Sequence, residues 1–489
     1  MMRRLRELAG ETLVYGISPI ISRFVSLFLV PVYTRLFTPE DYGVFSLVNG
    51  TFYIAAIFVV LALDSAAHRW FWEFDDEPRR KQVIASWVWC QLATSTLVAF
   101  VIIAAASPLS HTIIGRSDGT GYLRLIAIAL PLNILSGVTT NWLRMQRRAW
   151  ATTAYALGTS LFQIAVTLLL VVKMEIGLRG VFVGQLLTFA LATVVGARLL
   201  RGWMSYRLVR LPLLRDMLRF SLPLTAASLA MWVVNFSDRY ILQLLGSTAD
   251  VGLYSVGVSL AGGLALLTQG FQMAWGPFSM SIKDAADAKP TYASVFLVYL
   301  LGGSAAAAAL ALFAPEVFLL LTTPAYSRSA EVVGLLSVSY LMIGLTYIAN
   351  TGPLIVKTTT PTGVAIVLAA VMNVALGFLL VPRLGMIGAA TATMVAQALT
   401  PIYVFYRSQT LYPIPYRFGA GACIVGCTIV LAVGATRVSV PLSVVGALAK
   451  LAVLVGVYGA LAFGLQIVTP AHVRRVARVL GARAGSVGA

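Results

Sequence analysis

Runs of about twenty apolar residues, repeated along almost the whole chain, decide what it can become. They fall near 12–36, 42–66, 83–107, 122–143, 152–172, 180–199, 220–243, 251–275, 292–313, 332–353, 362–381, 386–406, 418–436 and 444–467. Each of these fourteen windows is long enough to cross a hydrocarbon layer of about 30 Å, and a spanning segment that bonds its own backbone is a helix. Charged residues make up 11% of the chain and hydrophobic ones 59%, against about 25% charged in an average soluble domain; mean hydropathy is +0.87. The expected fold class is therefore all-α, a polytopic membrane protein of about 14 transmembrane helices. The basic opening MMRRLRELAGET runs into the first window with no small-residue cleavage site, which predicts a retained span and no removed leader.

Charge sets the orientation. With the chain starting inside, 25 of the 36 Lys and Arg fall on the inner side, in clusters such as 77–81, 144–148, 201–219 and 472–483, while nine lie at or near the outer face. By the positive-inside rule both termini are cytoplasmic. The net charge of +18 then reflects loops beside anionic headgroups, and nucleic acid is not needed as a partner. Two basic residues remain within windows, Arg23 and Lys450. A guanidinium at mid-span costs about 2.5–3.5 kcal/mol on insertion scales, so Arg23 needs a compensating partner. Cys90, Cys423 and Cys427 sit in apolar segments without metal-ligand spacing, which predicts packing residues and no metal site.

The chain also repeats itself. DYGVFSL at 41–47 returns as DVGLYSV at 250–256, and Asn141 and Arg148 return as Asn350 and Lys357, all at an offset of 209; GLRG at 177–180 returns as GMIG at 385–388, at 208. Pro19 and Pro223 match as well if the second copy carries about five extra residues, which puts Ala227 opposite Arg23. The expected domains are an N-terminal six-helix bundle at 1–208, a second at 209–410, and two additional helices with a basic tail at 411–489. An even number of spans per copy predicts two parallel bundles related by a pseudo-two-fold axis along the membrane normal, with alternating access as the default mechanism.

SRFVSLFLVPVYTRLFTPEDYGVFSL (22–47) with LALDSAAHRWF (61–71), and DRYILQLLGSTADVGLYSVGVSLA (238–261), resemble polysaccharide-biosynthesis flippases of the Wzx type, in the multidrug/oligosaccharidyl-lipid/polysaccharide exporter superfamily. The first span is also similar to that of the lipid II flippases, with Arg23 and Arg35 on two of that group's arginines; a third falls on Leu29 here. The resemblance implies transport of an undecaprenyl-pyrophosphate-linked oligosaccharide to the outer leaflet of a bacterial plasma membrane, with membrane lipids and other polysaccharide-assembly proteins as partners. It implies no cofactor, a proton or sodium ion being the possible coupling ion.

Asp64 and Asp238 are the clear acids within windows, so an anionic substrate suits the chain better than a cationic drug, and Arg offers bidentate donors to phosphate. Arg23 either contacts substrate or pairs with a group on a neighbouring helix. Arg35, Arg124 and Arg239 lie near outer span ends, where snorkelling explains a basic residue equally well. Asn235, Asp238 and Arg239 share a helical face and read as substrate contacts, as a gate or ion-coupling site, or as an interhelical clamp. Asp64 and His68, four residues apart, read as a proton-linked switch, and Arg69 beside them reads as a substrate contact. Gln269 and Gln272 either bond sugar hydroxyls or tie helices together, and HRWFWEF (68–74) reads as an interfacial belt. No P-loop, nucleophile elbow or H-E-x-x-H is present, so an enzyme is not expected. A drug or cation antiporter and a membrane-embedded glycosyltransferase or polymerase are the alternatives.

Overall fold

A computed structural model describes residues 29–437 and 443–467. The described chain is α-helical. In order it forms α1 (29–36), α2 (Pro39–Val60), α3 (Leu63–Glu73), α4 (Glu77–Ala104), α5 (Ala106–Leu109), α6 (Gly119–Met145), α7 (Ala149–Leu168), α8 (Leu178–Leu199) and α9 (Leu211–Leu245). There follow α10 (Thr248–Ala261), α11 (Gly263–Ser281), α12 (Ala288–Leu321), α13 (Ala330–Ala349), α14 (Thr351–Ile355), α15 (Thr360–Leu411), α16 (Phe418–Arg437) and α17 (Val444–Gly464). Among the described residues eleven helical segments are long and apolar enough to cross a membrane, or twelve with the bent pair α10–α11 counted as one span. Most of the first expected span, with Arg23, and the expected cytoplasmic termini lie outside the described residues.

The longest helix explains itself. α15 has 52 residues, about 78 Å at 1.5 Å per residue, far more than a bilayer needs. It breaks at Gly385 (φ 54°, ψ −129°), a conformation essentially reserved for glycine, and Gly388 then lies directly against the backbone of Leu380. Gly177, where α8 begins, has the same geometry (φ 66°, ψ −149°), and Gly180 packs on Leu170 and Val171. The GLRG and GMIG motifs thus build the same turn. One repeat anchor moves by a residue: the left-handed positions ending α6 and α14 are Arg147 (φ 54°) and Lys357 (φ 59°), so Arg147, not Arg148, is the local counterpart of Lys357.

One compact unit takes in the described residues up to Ser259 with Leu321–Arg328 and Ile366–Thr393. In it α6 packs between α4 and α8, and a core of Leu63, Phe71, Trp87, Trp142, Leu200 and Met217 fills one end. Phe71 is fully buried there, so the 68–74 run is partly core and not only an interfacial belt. The window expected at 42–66 is broken between α2 and α3 by two left-handed residues, Leu61 (φ 49°) and Ala62 (φ 50°). The break frees carbonyls that lipid cannot satisfy. Side chains of α4 do so: Gln91 Nε2 donates to Val60 O at 3.0 Å and Thr94 Oγ1 to Val59 O at 3.0 Å.

The second unit comprises Leu260–Leu320, Ser329–Ala365 and the described residues from Met394 onward. Here α16 and α17 are tied to α12. Tyr458 Oη donates to Ser304 O at 2.9 Å and bonds Thr428 Oγ1 at 2.7 Å, while Lys450 Nζ meets Glu316 Oε1 at 2.5 Å, with side-chain exposures of 7% and 27%. Glu316 lies within α12 but beyond the window read for that span. All three cysteines are free, and Cys423 is exposed, not a packing residue. No group of acids, His and Cys that could hold a metal ion occurs among the described residues.

Candidate functional site

The first unit holds a buried polar cluster on α9. Asp238 and Arg239 are consecutive and both buried, and Arg239 Nη1 lies 3.1 Å from Asp238 Oδ1. The second carboxylate oxygen accepts Tyr254 Oη of α10 at 2.5 Å, with Thr393 Oγ1 of α15 at 3.5 Å. Asn373 closes the ring, donating to Thr393 at 3.2 Å and accepting from Ser237 at 2.9 Å. Arg239 Nη1 also donates to Asn235 O at 2.6 Å, and the guanidinium lies 4.9 Å from the Phe236 ring centroid. Its Nε has no partner among the described residues. Charges this dry are tolerated only when paired, and the cluster ties three helices of one unit through a single carboxylate.

A second arrangement stands where α2 and α10 begin. Thr38 and Asp41 form a capping box at the start of α2, and Ser247 with Asp250 forms its counterpart 209 residues on, Oγ to Oδ2 at 2.7 Å and Asp250 N to Ser247 Oγ at 3.1 Å. The aspartates of the two D-x-G motifs therefore start helices. Their glycines let the helices touch: Gly43 lies against the carbonyl of Thr248 and Gly252 against that of Pro39, so a Cβ at either would collide with backbone. Ser46 and Ser255, again 209 apart, hydrogen-bond each other at 2.7 Å. Equivalent residues of the repeat thus meet face to face. Around this crossing Tyr326 Oη donates to Phe37 O at 2.9 Å. Arg116 grips Asp118 at 2.7 and 3.0 Å and reaches Asp41 at 3.5 Å; hydrogen bonding to Asp118 raises its pKa above the ordinary arginine value.

The residues singled out in the sequence are distributed unevenly. Asp238 and Arg239 come together, but the Asn235 side chain is exposed and bonds its own helix at Met231 O, 2.7 Å. Arg35 is exposed and shares a groove with Lys173, and Arg124 is exposed. Arg69 stacks over Phe220 (4.8 Å) and Trp70 (5.2 Å), which gives it a packing partner. Asp64 occupies the first turn of α3, and no hydrogen bond joins it to the exposed His68 among the described residues. Gln269 is half-buried and Gln272 exposed, neither tying helices together within the described chain. Tyr254, Asn373 and Thr393 were not singled out. Their only sequence signal is a polar atom within an apolar window.

Residues 8–283, more than half the chain, match the family model described as polysaccharide biosynthesis protein. No curated protein sequence matches the chain significantly. Among solved structures, the lipid II flippase MurJ in an inward closed conformation superposes with a TM-score of 0.71 at 12% identity, over 93% of this chain and 100% of that one. A multidrug resistance MATE family transporter in an inward-facing conformation gives 0.63 at 16% identity, over 81% and 97%, and a MATE family transporter in an outward-facing conformation 0.54 at 17%, over 82% and 94%. At these identities the structures speak for the fold, and the family match speaks for descent. The chain belongs to the polysaccharide biosynthesis protein family, and it shares its fold with the lipid II flippase and the MATE transporter.

Proposed function

We propose that this chain flips an isoprenoid-pyrophosphate-linked oligosaccharide from the cytoplasmic to the outer leaflet of a bacterial plasma membrane, by alternating access and without enzymatic chemistry. The reading takes the chain as fourteen spans with both termini inside, arranged as two six-helix copies and two added helices. The observation that carries it is the meeting of repeat-equivalent residues, Ser46 with Ser255 and Gly43 beside Thr248, in a chain that shares its fold with a lipid II flippase. On the proposed orientation this crossing lies at the outer face, as a closed gate would. The MATE likeness favours a drug or cation antiporter as second reading, but cationic cargo calls for available carboxylates. Asp238 and Glu316 are each already paired with a cation, Arg239 and Lys450, which leaves Asp64 alone of the acids considered above. Deleting the gene and identifying the lipid-linked saccharide that builds up on the cytoplasmic side tests the proposal. A change in drug susceptibility with no such build-up would favour the antiporter.

A further inference from the structure

α1 and the far end of α7 face one another across a groove of about 1060 Å³, at the large end of the roughly 300–1,000 Å³ usual for ligand pockets. Its walls are aliphatic, with Leu36 on one helix and Leu168 and Val172 on the other, and its charged lining residues are Arg35 and Lys173. Both are exposed, each lies in the last turn of its helical segment, and neither has a carboxylate partner among the described residues. α7 closes in a π turn, Leu169–Lys173, a geometry concentrated at functional sites. On the orientation proposed above, both cations stand at the outer face with the apolar walls running below them.

That is the outline of a lipid with a doubly charged head. A phosphodiester headgroup brings one negative charge and leaves one of the two cations unmatched, whereas a pyrophosphate diester brings two. The geometry points to this groove as the outer-leaflet holding site of an isoprenoid pyrophosphate lipid, its phosphates at Arg35 and Lys173 and its chain along Leu36, Leu168 and Val172. The inference rests on the proposed function and gives the flipped product a place to leave from.

The test is photo-crosslinking to the full-length protein in vesicles of zwitterionic lipid, with an isoprenoid pyrophosphate glycolipid carrying a diazirine on its chain. Label should map to 165–173. Arg35→Ala and Lys173→Ala should each lower labelling about tenfold, the worth of one charge-assisted contact, and Arg35→Lys should keep most of it. Leu168→Trp, which fills the groove and leaves both cations in place, should abolish labelling with an unchanged melting temperature. Equal labelling by a diazirine phosphatidylglycerol, or undiminished labelling of the double alanine variant, overturns the inference. Full-rate flipping by unlabelled Leu168→Trp protein also overturns it and spares the proposed function. Labelling of a protein that flips no glycolipid upholds the site and removes that function.

Discussion

Replacing Asp238 with Asn keeps the shape of the α9 cluster and removes its only negative charge. The side chains of Asp238 and Arg239 are 5% and 9% exposed, so water cannot take over the lost role. Breaking a buried pair by neutralising one partner costs about 3–5 kcal/mol, and the remaining contacts of Arg239, to Asn235 O and the Phe236 ring, carry no counter-charge. At about 2 °C per kcal/mol, the low end for a large domain, Asp238→Asn should lower the melting temperature of detergent-purified protein by about 6–10 °C. Arg239→Gln alone should cost a similar amount, and the double variant should recover most of the loss, because both charges are then gone. The assay is the four-variant thermal cycle run beside glycolipid flipping at several pH values and sodium concentrations. A single Asp238→Asn variant that melts within 2 °C of the parent (about 1 kcal/mol on the same scale) yet loses its pH or sodium dependence would refute the clamp and make Asp238 the coupling group.

Gly252→Ala sets a Cβ against the Pro39 carbonyl and should separate α2 from α10; crosslinking between cysteines at Ser46 and Ser255 should fall relative to the parent pair, and an unchanged yield would count against the close crossing. Lys450→Met strands Glu316, whose Oε2 is already without a partner among the described residues, and should cost about 3–5 kcal/mol in a thermal melt, with Glu316→Gln restoring most of it. Cutting the chain after Arg407 removes the same cation together with Tyr458, so the remainder should be unstable as well as inactive; a well-folded product in size-exclusion chromatography would contradict this. If Arg23 contacts the substrate and does not merely pair with a neighbouring helix, Arg23→Ala should abolish flipping at normal abundance and melting temperature and Arg23→Lys should keep part of the activity; normal transport by Arg23→Ala would exclude the substrate contact.

Helices and their turns were legible because lipid leaves little choice: a twenty-residue apolar run becomes a helix, and glycines such as Gly177 and Gly385 mark where it must stop. The repeat was legible for the same reason, since its motifs are caps and turns with local rules. What escaped was long-range. Tyr254, Asn373 and Thr393 matter only because three helices bring them to one carboxylate, and no spacing along the chain announces that. Glu316 was missed because its window ends three residues earlier, at Phe313, although α12 runs on to Leu321. The break at Leu61–Ala62 carries no glycine or proline, and what supports it lies thirty residues away on α4.

That break has a consequence for how the molecule is made. A chain leaves the ribosome N-terminus first, and residues 39–73 reach the bilayer before Gln91 and Thr94 do. Without those donors the carbonyls of Val59 and Val60 would stand bare in lipid at several kcal/mol each, so the lowest-energy form of the newborn segment is one uninterrupted helix. The bend arrives with α4. The shape of this early span is therefore written into a later one, and a chain halted after Glu73 should hold a straight rod where the finished protein holds an elbow.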